Sequence, residues 1–327
     1  MKVGKLKIGD LKKIILNNIK NNRIEVLSNP EIGGDCAVVD VGDKLLYLSS
    51  DPITGATEGI GQLAIDINAN DIATSGNEPL GVMLTILAPE GTKKESLERI
   101  IKEAQQQCDK LNMSILGGHT EITDAVNRII ISTTAIGLGE KKQFVEKKKP
   151  ISGDKVLITK GIGIEGTGII AGEKAYELEL EFGKEFVNEG KKFLNLASVV
   201  EEGKIGSNYS KAMHDVTEGG LLGGVWEFAE LFNLGVKIDV SCFEVSEITK
   251  KICEFYKIDP LKLISSGTML MIVAEENIEK LQLDLKNKNI KSFVIGELTE
   301  NLNKVLIENG IEKEISEPES DELYKVI

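Results

Sequence analysis

Acidic side chains recur beside small, flexible residues at five places in this chain, in a pattern whose chemistry suits a metal nucleotide. The five groups are Gly33-Gly34-Asp35, Ser49-Ser50-Asp51, Asn68-Ala69-Asn70-Asp71, Gly117-Gly118-His119-Thr120-Glu121 and His214-Asp215-Val216-Thr217-Glu218-Gly219-Gly220. Mg²⁺ prefers carboxylate and water oxygens, and glycine lets backbone N–H groups approach phosphate oxygens closely. We therefore expect an enzyme that uses ATP together with Mg²⁺.

Asp35 and Asp51 lie at the two outer ends of a predicted β-hairpin. Residues 36–41 and 45–49 are β-like runs, and Gly42-Asp43 between them is a strong turn signal. Antiparallel pairing brings the outer ends of a hairpin together, so these two carboxylates are expected to meet. Neighbouring anions need a cation, which makes both residues candidate metal ligands.

Asp71 falls in an apolar position of a predicted helix over residues 58–76. Ile60, Ala64 and Ile67 precede it on one helical stripe. A carboxylate that faces the interior is costly unless it is paired or binds a metal, so this break in the pattern indicates a metal ligand. The alternative is that the helix ends near Asn70 and that Asp71 caps it.

The Gly117-Gly118-His119-Thr120-Glu121 group follows a predicted strand over residues 113–116, and we expect it at the end of that strand. An amphipathic helix is predicted over residues 95–112 and a returning strand over residues 128–137. Strand ends often carry functional loops. This position makes the group a candidate site.

The second half of the chain reads as alternating strands and helices. A strand over residues 155–160 leads into Gly161-Ile162-Gly163-Ile164-Glu165-Gly166, which matches the G-x-G-x-x-G pattern of dinucleotide sites. That pattern also requires a second buried strand ending in an acid about 20 residues on, whereas residues 173–192 are densely charged. The glycines therefore indicate a turn that opens a helix, with a dinucleotide fold as the alternative.

Further elements complete an α/β second domain. A strand over residues 212–216 continues through Thr217-Glu218-Gly219-Gly220 into a helix over residues 221–232. The basic run Lys147-Lys148-Lys149 precedes Pro150 and reads as a solvated linker, which gives domains over residues 1–150 and 151–327. More strands are predicted over residues 236–240, 268–273, 292–295 and 304–307, and more helices over residues 247–256 and 278–286.

Composition and charge restrict the possible partners and location. The chain has 327 residues, more than one core usually organises, and its 39 Lys and Arg against 52 Asp and Glu give a net charge of -13. That charge disfavours nucleic acid and anionic membrane surfaces as partners. The cysteines form no C-x-x-C pair, no apolar run approaches the roughly 18 residues of a membrane helix, and the start lacks an apolar signal region. We expect reduced thiols and a cytoplasmic protein.

The two histidines, His119 and His214, both lie in polar groups beside Asp or Glu. His119 could act chemically or bond a turn carbonyl, and His214 could be a strand residue beside a functional Asp215. Zinc is disfavoured because the ligand spacing is missing. Turn and cap chemistry is the alternative for each aspartate, but their recurrence at four separate element ends favours one shared metal site.

Taken in order, these motifs resemble the aminoimidazole ribonucleotide synthetase-like (PurM-like) superfamily. The superfamily includes thiamine monophosphate kinase, selenophosphate synthetase, formylglycinamidine synthetases and the hydrogenase-maturation protein HypE. The overall likeness is greatest to HypE and the AIR synthase-related proteins, and it includes the stretch Ser265-Ser266-Gly267-Thr268. The matching motifs lie within residues 30–275 and read Gly-Gly-Asp-Cys-Ala-Val-Val, Ser-Ser-Asp, Asn-Asp-Ile-Ala-Thr-Ser-Gly, Gly-Gly-His-Thr and Asp-Val-Thr-Glu-Gly-Gly-Leu.

The resemblance implies a two-domain α/β fold, with a PurM-like N-terminal domain whose β-sheet or barrel pairs with a second subunit. It further implies a homodimer that holds ATP and Mg²⁺ between its domains. Phosphoryl transfer would activate an amide, carbonyl or phosphate oxygen of a small-molecule or protein-borne acceptor. By matched position, the implied metal ligands are Asp35, Asp51, Asp71 and Asp215. The implied nucleotide contacts are Asp35, Asp51, Asp71, Gly117, Gly118, His119 and Thr217, and the candidates for orienting the acceptor or serving as base are His119 and Glu121.

Two departures from the family pattern bear on function. His119 stands where the kinase-like members carry Asp, as in selenophosphate synthetase, but the catalytic Cys and Lys expected near that enzyme's start are missing. HypE ends in a carbamoyl-accepting Cys, whereas this chain ends Leu323-Tyr324-Lys325-Val326-Ile327, so the usual carbamoyl dehydratase reaction is not expected. The alternative functions are a small-molecule kinase and a nucleotide-binding assembly or sensor protein without catalysis.

Overall fold

The computed structural model describes residues 3–142 and 149–327 and contains two β-sheets with helices packed on them. Lys147 and Lys148 of the predicted linker lie outside these residues. In the ranges that are described, no helix is both long enough and apolar enough to cross a membrane. The predicted division at residue 150 falls between the two sheets and stays a prediction.

The first sheet is mostly antiparallel. Its strands are β1 (Ala37–Asp40), β2 (Lys44–Ile53), β3 (Pro79–Pro89), β4 (Ser114–Thr123) and β5 (Ile130–Glu140). They lie in the order β1-β2-β5-β3-β4, and only the pairing of β3 with β4 is parallel. β4 is therefore an edge strand, and its residues 116–122 are all exposed.

The helices of the first half are α1 (Ile8–Asp10), α2 (Ile60–Thr74) and α3 (Lys94–Leu111). α1 continues into a π-helical turn, Leu11–Ile15, and a 3₁₀ turn, Leu16–Asn18. Every residue of α2 except Gln62 is buried, because the helix lies between the first sheet, α3 and the second half of the chain. Polar residues on such a helix need partners inside the protein.

The second sheet has seven strands. They are β6 (Lys155–Thr159), β7 (Ser210–Asp215), β8 (Gly235–Asp239), β9 (Met269–Val273), β10 (Ser292–Thr299), β11 (Lys304–Glu308) and β12 (Ile311–Glu314). Their order is β12-β11-β8-β10-β6-β9-β7, so β7 is an edge strand. The β8 and β11 pair is parallel, and the other pairs are antiparallel.

Among residues 149–327 the structure also contains seven helices and several short turns. The helices are α4 (Ile164–Glu173), α5 (Ala175–Phe182), α6 (Lys184–Lys191), α7 (Val200–Gly206), α8 (Gly220–Phe232), α9 (Glu247–Tyr256) and α10 (Ile278–Asn287). The 3₁₀ turns are Lys192–Leu196, Val240–Cys242, Pro260–Lys262, Glu275–Asn277 and Glu322–Lys325. Ile170 of α4 and Leu323 near the end of the chain join the same buried apolar cluster as Leu63 of α2.

Several local predictions are confirmed. β1 and β2 form the expected hairpin, in which Ala37 pairs with Leu48. α2 continues past Asp71 to Thr74, so Asp71 lies inside the helix and does not cap it. The glycine-rich segment after β6 is the expected turn, with Gly163 in the left-handed region (φ 64°) immediately before α4.

The prediction that Gly117-Gly118-His119-Thr120-Glu121 lies at a strand end is wrong, because β4 runs through the whole group. The parallel partner β3 explains the difference. Gly118 pairs with Leu84, and a Cβ on Gly118 would lie 1.8 Å from the Leu84 carbonyl oxygen. The glycine therefore allows the close approach of β3, and the strand pairing outweighs the low β-propensity of the sequence.

The two halves of the chain meet most closely where α7 crosses α2. A Cβ on Gly203 of α7 would lie 2.3 Å from the carbonyl oxygen of Ala73. Asn70 of α2 reaches the same region, donating from Nδ2 to the Ala197 oxygen (2.8 Å) and accepting at Oδ1 from the Val199 amide (2.7 Å). We call this contact between α2 and α7, with its close backbone approach and its buried hydrogen bonds, the seam.

We predict that Gly203→Ala lowers the free energy of unfolding by about 1–3 kcal/mol, because the added methyl overpacks the contact with α2. Gly172→Ala on α4 is the matched control, since the nearest atom to the added Cβ would be Glu58 Oε2, at an ordinary contact distance of 3.5 Å. The control is expected to be neutral or stabilising by up to about 1 kcal/mol. Urea denaturation of the two variants measures the difference in their free energies of unfolding. Equal values would contradict the tight packing of α7 on α2.

Candidate functional site

Four aspartates from separate elements converge beside α2. Asp35 precedes β1, Asp51 lies in β2, Asp71 in α2, and Asp215 ends β7. Asp71 and Asp215 are buried, and the negative charges of the other three all act on Asp71. We call these four residues the acidic cluster. The structure thus brings together the four aspartates that the sequence singled out.

His214 lies at the centre of the buried side of the acidic cluster. Its Nδ1 is 2.7 Å from Asp35 Oδ1, and its Nε2 is 3.3 Å from Glu227 Oε2. Its ring packs on Phe228 of α8, with the ring centres 5.2 Å apart. Donor atoms of Asp35, His214 and Asp215 lie within 4.8 Å of one another, a spacing that could hold a metal ion.

Burial and like charges strongly perturb the protonation of this site. Burial, reinforced by Asp215, Asp51 and Asp35, raises the pKa of Asp71 well above its usual value. Burial and the charge of Asp35 raise the pKa of Asp215 to about 7, although His214 opposes the rise.

Burial and the neighbouring carboxylates act in opposite directions on the pKa of His214. Burial alone would lower the pKa of His214, but the carboxylates of Asp35 and Glu227 outweigh it and raise that pKa well above the usual value. A positive imidazolium is therefore the form that these two carboxylates favour, and it orients Asp35 at the edge of the cluster.

The donor set fits a hard divalent cation. Asp215 Oδ2 is buried and has no hydrogen-bond partner among the residues that the structure describes. An orphaned, buried carboxylate oxygen is costly, and a cation would satisfy it while also neutralising the neighbouring aspartates. Carboxylate oxygens are the ligands that Mg²⁺ prefers, and the acidic cluster offers them from four directions.

The Asn68-Ala69-Asn70-Asp71 motif points its polar residues in three directions from one helix. Asn68 Oδ1 accepts from the backbone amide of Asp51 at 2.9 Å and so fixes that strand residue against α2. Asn70 bonds the second half of the chain, as described above. Asp71 faces the acidic cluster, where its Oδ2 accepts from the Ser49 hydroxyl. One helical turn thereby positions residues from both halves, because successive helix residues point about 100° apart.

Sequence reasoning missed Lys5 and Glu218, which lie beside the acidic cluster. The backbone amide of Lys5 donates to Glu218 Oε2 (2.9 Å), and its ammonium donates to the hydroxyl of Thr217 (3.3 Å). Tyr324 donates to the other oxygen of Glu218. Lys5 is solvent-exposed, and against the opposing effect of partial desolvation its pKa is raised by the negative charges of Glu227, Glu218, Asp51 and Asp215. No local sequence pattern pairs residue 5 with residue 218, so only the fold could reveal this contact.

Gly117, Gly118, His119 and Glu121 lie elsewhere on the first sheet, on the exposed edge strand β4. Asp51, Thr133, Leu84 and Gly118 form one row across the sheet. Three inter-strand steps separate Asp51 from Gly118, a span of about 14 Å. His119 Nε2 and Glu121 Oε2 are 3.3 Å apart and solvent-exposed. The structure therefore places these residues level with the acidic cluster but not in contact with it.

Comparison with known proteins gives a consistent family likeness. Residues 33–139 match the family model of the N-terminal domain of AIR synthase related proteins, and residues 152–308 match that of the C-terminal domain. The two matches contain every strand of the two sheets except β12 and the last residue of β5.

Three curated relatives illustrate the range of names in this family. A protein from Methanocaldococcus jannaschii named for hydrogenase expression/formation is 29% identical over 319 residues, covering 95% of this chain and 93% of its own. The carbamoyl dehydratase HypE of Rhizobium leguminosarum bv. viciae is 27% identical, covering 76% and 71%. The thiamine-monophosphate kinase of Pyrococcus horikoshii is also 27% identical, covering 80% and 83%.

Two solved structures share the fold. ThiL in complex with AMPPCP and TMP superposes with a TM-score of 0.75 at 21% identity, covering 96% of both chains. The hydrogenase maturation protein HypE in complex with ATP gives a TM-score of 0.69 at 19% identity, covering 96% of this chain and 92% of its own.

We predict that the stability of the metal-free protein falls by about 2 kcal/mol between pH 5 and pH 8. The folded state holds the Asp215 proton up to about pH 7, whereas the unfolded chain releases it near its ordinary value of 3.8. Stability from this group is therefore full at low pH and lost as the pH rises, and the raised pKa of His214 acts in the same direction.

Thermal unfolding across this pH range, with and without Mg²⁺, tests the prediction. Mg²⁺ should raise the midpoint more at pH 8 than at pH 5, because it competes with protons for the same oxygens. Asp215→Asn should flatten the pH dependence, while Asp124→Asn in an exposed loop should not. Stability that rises with pH in the metal-free protein would contradict this account of the cluster.

Proposed function

This chain belongs to the AIR synthase related family, and from that premise we propose that it binds Mg²⁺ and ATP and transfers a phosphoryl group to an acceptor. The observation that carries the proposal is the convergence of four aspartates, two of them buried, around an unsatisfied carboxylate oxygen. Relatives support the use of ATP, since one solved HypE is in complex with ATP and one solved ThiL with AMPPCP.

In the proposed site, Asp35, Asp51, Asp71 and Asp215 would hold Mg²⁺ beside the phosphates of the nucleotide. The metal supplies charge neutralisation on the transferring group. The protein supplies position, with Asp51 anchored by Asn68 and Asp35 oriented by His214. Such preorganised charge is the main contribution that proteins make to phosphoryl transfer.

Two polar groups at the edge of the acidic cluster would contact the phosphates. The Lys5 ammonium and the Thr217 hydroxyl lie 3.3 Å apart. Lys5 belongs to the N-terminal segment, and Thr217 lies in the loop that follows Asp215. A lysine near four carboxylates is a natural phosphate ligand once a cation has taken those carboxylates. Lys5 thus offsets part of the negative charge of the acidic cluster and would be available to contact the nucleotide.

The acceptor is proposed to be an amide, carbonyl or phosphate oxygen of a small molecule or a protein segment. His119 and Glu121 are the proposed groups for orienting it or removing its proton, since they lie together on an exposed strand. Their distance from the acidic cluster in one subunit means that a nucleotide must extend along the sheet, or that a partner subunit must bring its own β4 to the site.

We also propose a homodimer that pairs through β4. This edge strand exposes Leu116 and Ile122, and its neighbour β3 exposes Met83. Unpaired edge strands with exposed apolar residues readily add a strand from another chain. A dimer formed in this way would cover these side chains and bring Gly117 and Gly118 into an enclosed interface.

We predict that Asp51→Asn abolishes ATP turnover, by about a thousandfold or more, while the fold stays intact. The change keeps the shape of the side chain but removes a charge that the metal requires, and the backbone bond to Asn68 is retained. Asp43→Asn in the β-hairpin turn is the matched control and should keep full activity.

ADP release should be measured across candidate acceptors, with circular dichroism to check folding. Turnover that survives Asp51→Asn removes Asp51 from the mechanism. Magnesium nucleotide binding without ADP release for any acceptor would instead favour a non-catalytic sensor or assembly protein, and a phosphorylated product would identify a small-molecule kinase.

For the homodimer, we predict that Ile122→Glu shifts the protein from dimer to monomer in light scattering coupled to gel filtration. A charge that replaces an apolar side chain within a strand-pairing interface is strongly unfavourable. Leu283→Glu on α10 changes an equally exposed apolar residue elsewhere and should leave the mass unchanged. A wild-type protein that is monomeric at micromolar concentration would contradict the proposed pairing.

A further inference from the structure

A separate concave site lies beside the contact between α7 and α2. It is a cavity of about 890 Å³ between the end of α3, the helix α7 and the segment that follows α10. Its lining includes none of the residues of the acidic cluster. Both halves of the chain contribute walls, and a volume of this order is typical of small-molecule sites at domain junctions.

Lysines line this cavity from four different elements. They are Lys110 at the end of α3, Lys160 after β6, Lys204 on α7, and Lys288 and Lys291 after α10. Among the described lining residues, five are lysines and three are glutamates. The cavity is therefore positively charged, whereas the chain as a whole has a net charge of -13. We call this site the lysine cavity. It is a local basic surface that the sequence alone did not reveal, because its lysines come from distant segments.

The ion pairs in the lysine cavity leave its rim open to a competing anion. Lys204 pairs with Glu78 and Lys288 with Glu201, and all four of these side chains are more than two-fifths exposed. Exposed pairs of this kind hold together weakly, so an incoming phosphate can recruit both lysines. Among the contacts described, the Lys110 ammonium donates only to a neutral acceptor, Gln107 Oε1, at 3.2 Å.

Lys160 is held in a special backbone conformation at the floor of the cavity. Its φ of +60° is unusual for a residue with a side chain. The backbone is fixed by a bond from its amide to the Lys291 oxygen (2.8 Å), and the ammonium donates to the Ser198 oxygen (2.6 Å). It also lies 2.7 Å from the buried Glu202 carboxylate. Such local strain is commonly found where a protein positions a group for binding.

We propose that the lysine cavity binds a phosphorylated small molecule, at a site separate from the acidic cluster and without the help of Mg²⁺. Lys110, Lys204, Lys288 and Lys291 would contact the phosphate oxygens, with Lys160 and Glu202 as a fixed floor. Leu111 and Leu196 add apolar surface on which an organic part of the ligand can pack. Because residues of both halves form the walls, the bound ligand would bridge them.

The experiment titrates the full-length protein with inorganic pyrophosphate in EDTA, using calorimetry. Pyrophosphate carries the charged group of the proposed ligand class, and EDTA removes the metal on which the acidic cluster depends. We expect saturable binding with a dissociation constant below about a millimolar, the range expected for a few charged hydrogen bonds. The double variant Lys110→Gln, Lys291→Gln should bind about tenfold more weakly or worse.

Lys286→Gln is the matched control, since this exposed lysine belongs to α10 but does not line the cavity. It should bind pyrophosphate like the wild type. The lysines exchanged in the double variant are also exposed, so circular dichroism should show both proteins folded. The proposal is overturned if pyrophosphate shows no saturable binding at millimolar concentration, or if the double variant and the control bind equally well.

Discussion

Electrostatic repulsion among the four aspartates is the constraint on which this structure depends. Two of the four, Asp71 and Asp215, are buried, and the neighbouring carboxylates raise the cost of ionising these two. The protein offsets part of this cost with its own cations, His214 between Asp35 and Glu227, and Lys5 at the rim. The remaining imbalance includes an oxygen of Asp215 that has no hydrogen-bond partner among the described residues, and it is the basis on which we propose a divalent cation site here.

α2 is the element through which this constraint reaches the rest of the fold. The helix carries Asp71 into the cluster, anchors Asp51 through Asn68 and holds the second half of the chain through Asn70. Its burial between two sheets leaves it little freedom to shift. The geometry of the acidic cluster therefore depends on how the two halves pack together. A change at the contact between α2 and α7 is expected to shift the aspartates of the cluster.

The sequence predicted those features that depend on local patterns or on burial. The β1 and β2 hairpin follows from Gly42-Asp43 between two apolar runs, and Asp71 stood out because it broke an apolar stripe. The placement of Gly117 and Gly118 could not be predicted, because it depends on the parallel approach of β3 to β4. Lys5, Glu218 and the lysine cavity depend on contacts between segments hundreds of residues apart. No spacing rule along one chain encodes such contacts.

Calorimetric titration with ATP, in the presence and absence of Mg²⁺, tests the central claim most directly. If the acidic cluster is a magnesium site for a nucleotide, Mg²⁺ and ATP together give a saturable heat, and ATP with EDTA gives little at the same concentration. Comparable binding of ATP with and without the metal, or no heat from magnesium nucleotide at millimolar concentration, would contradict the account.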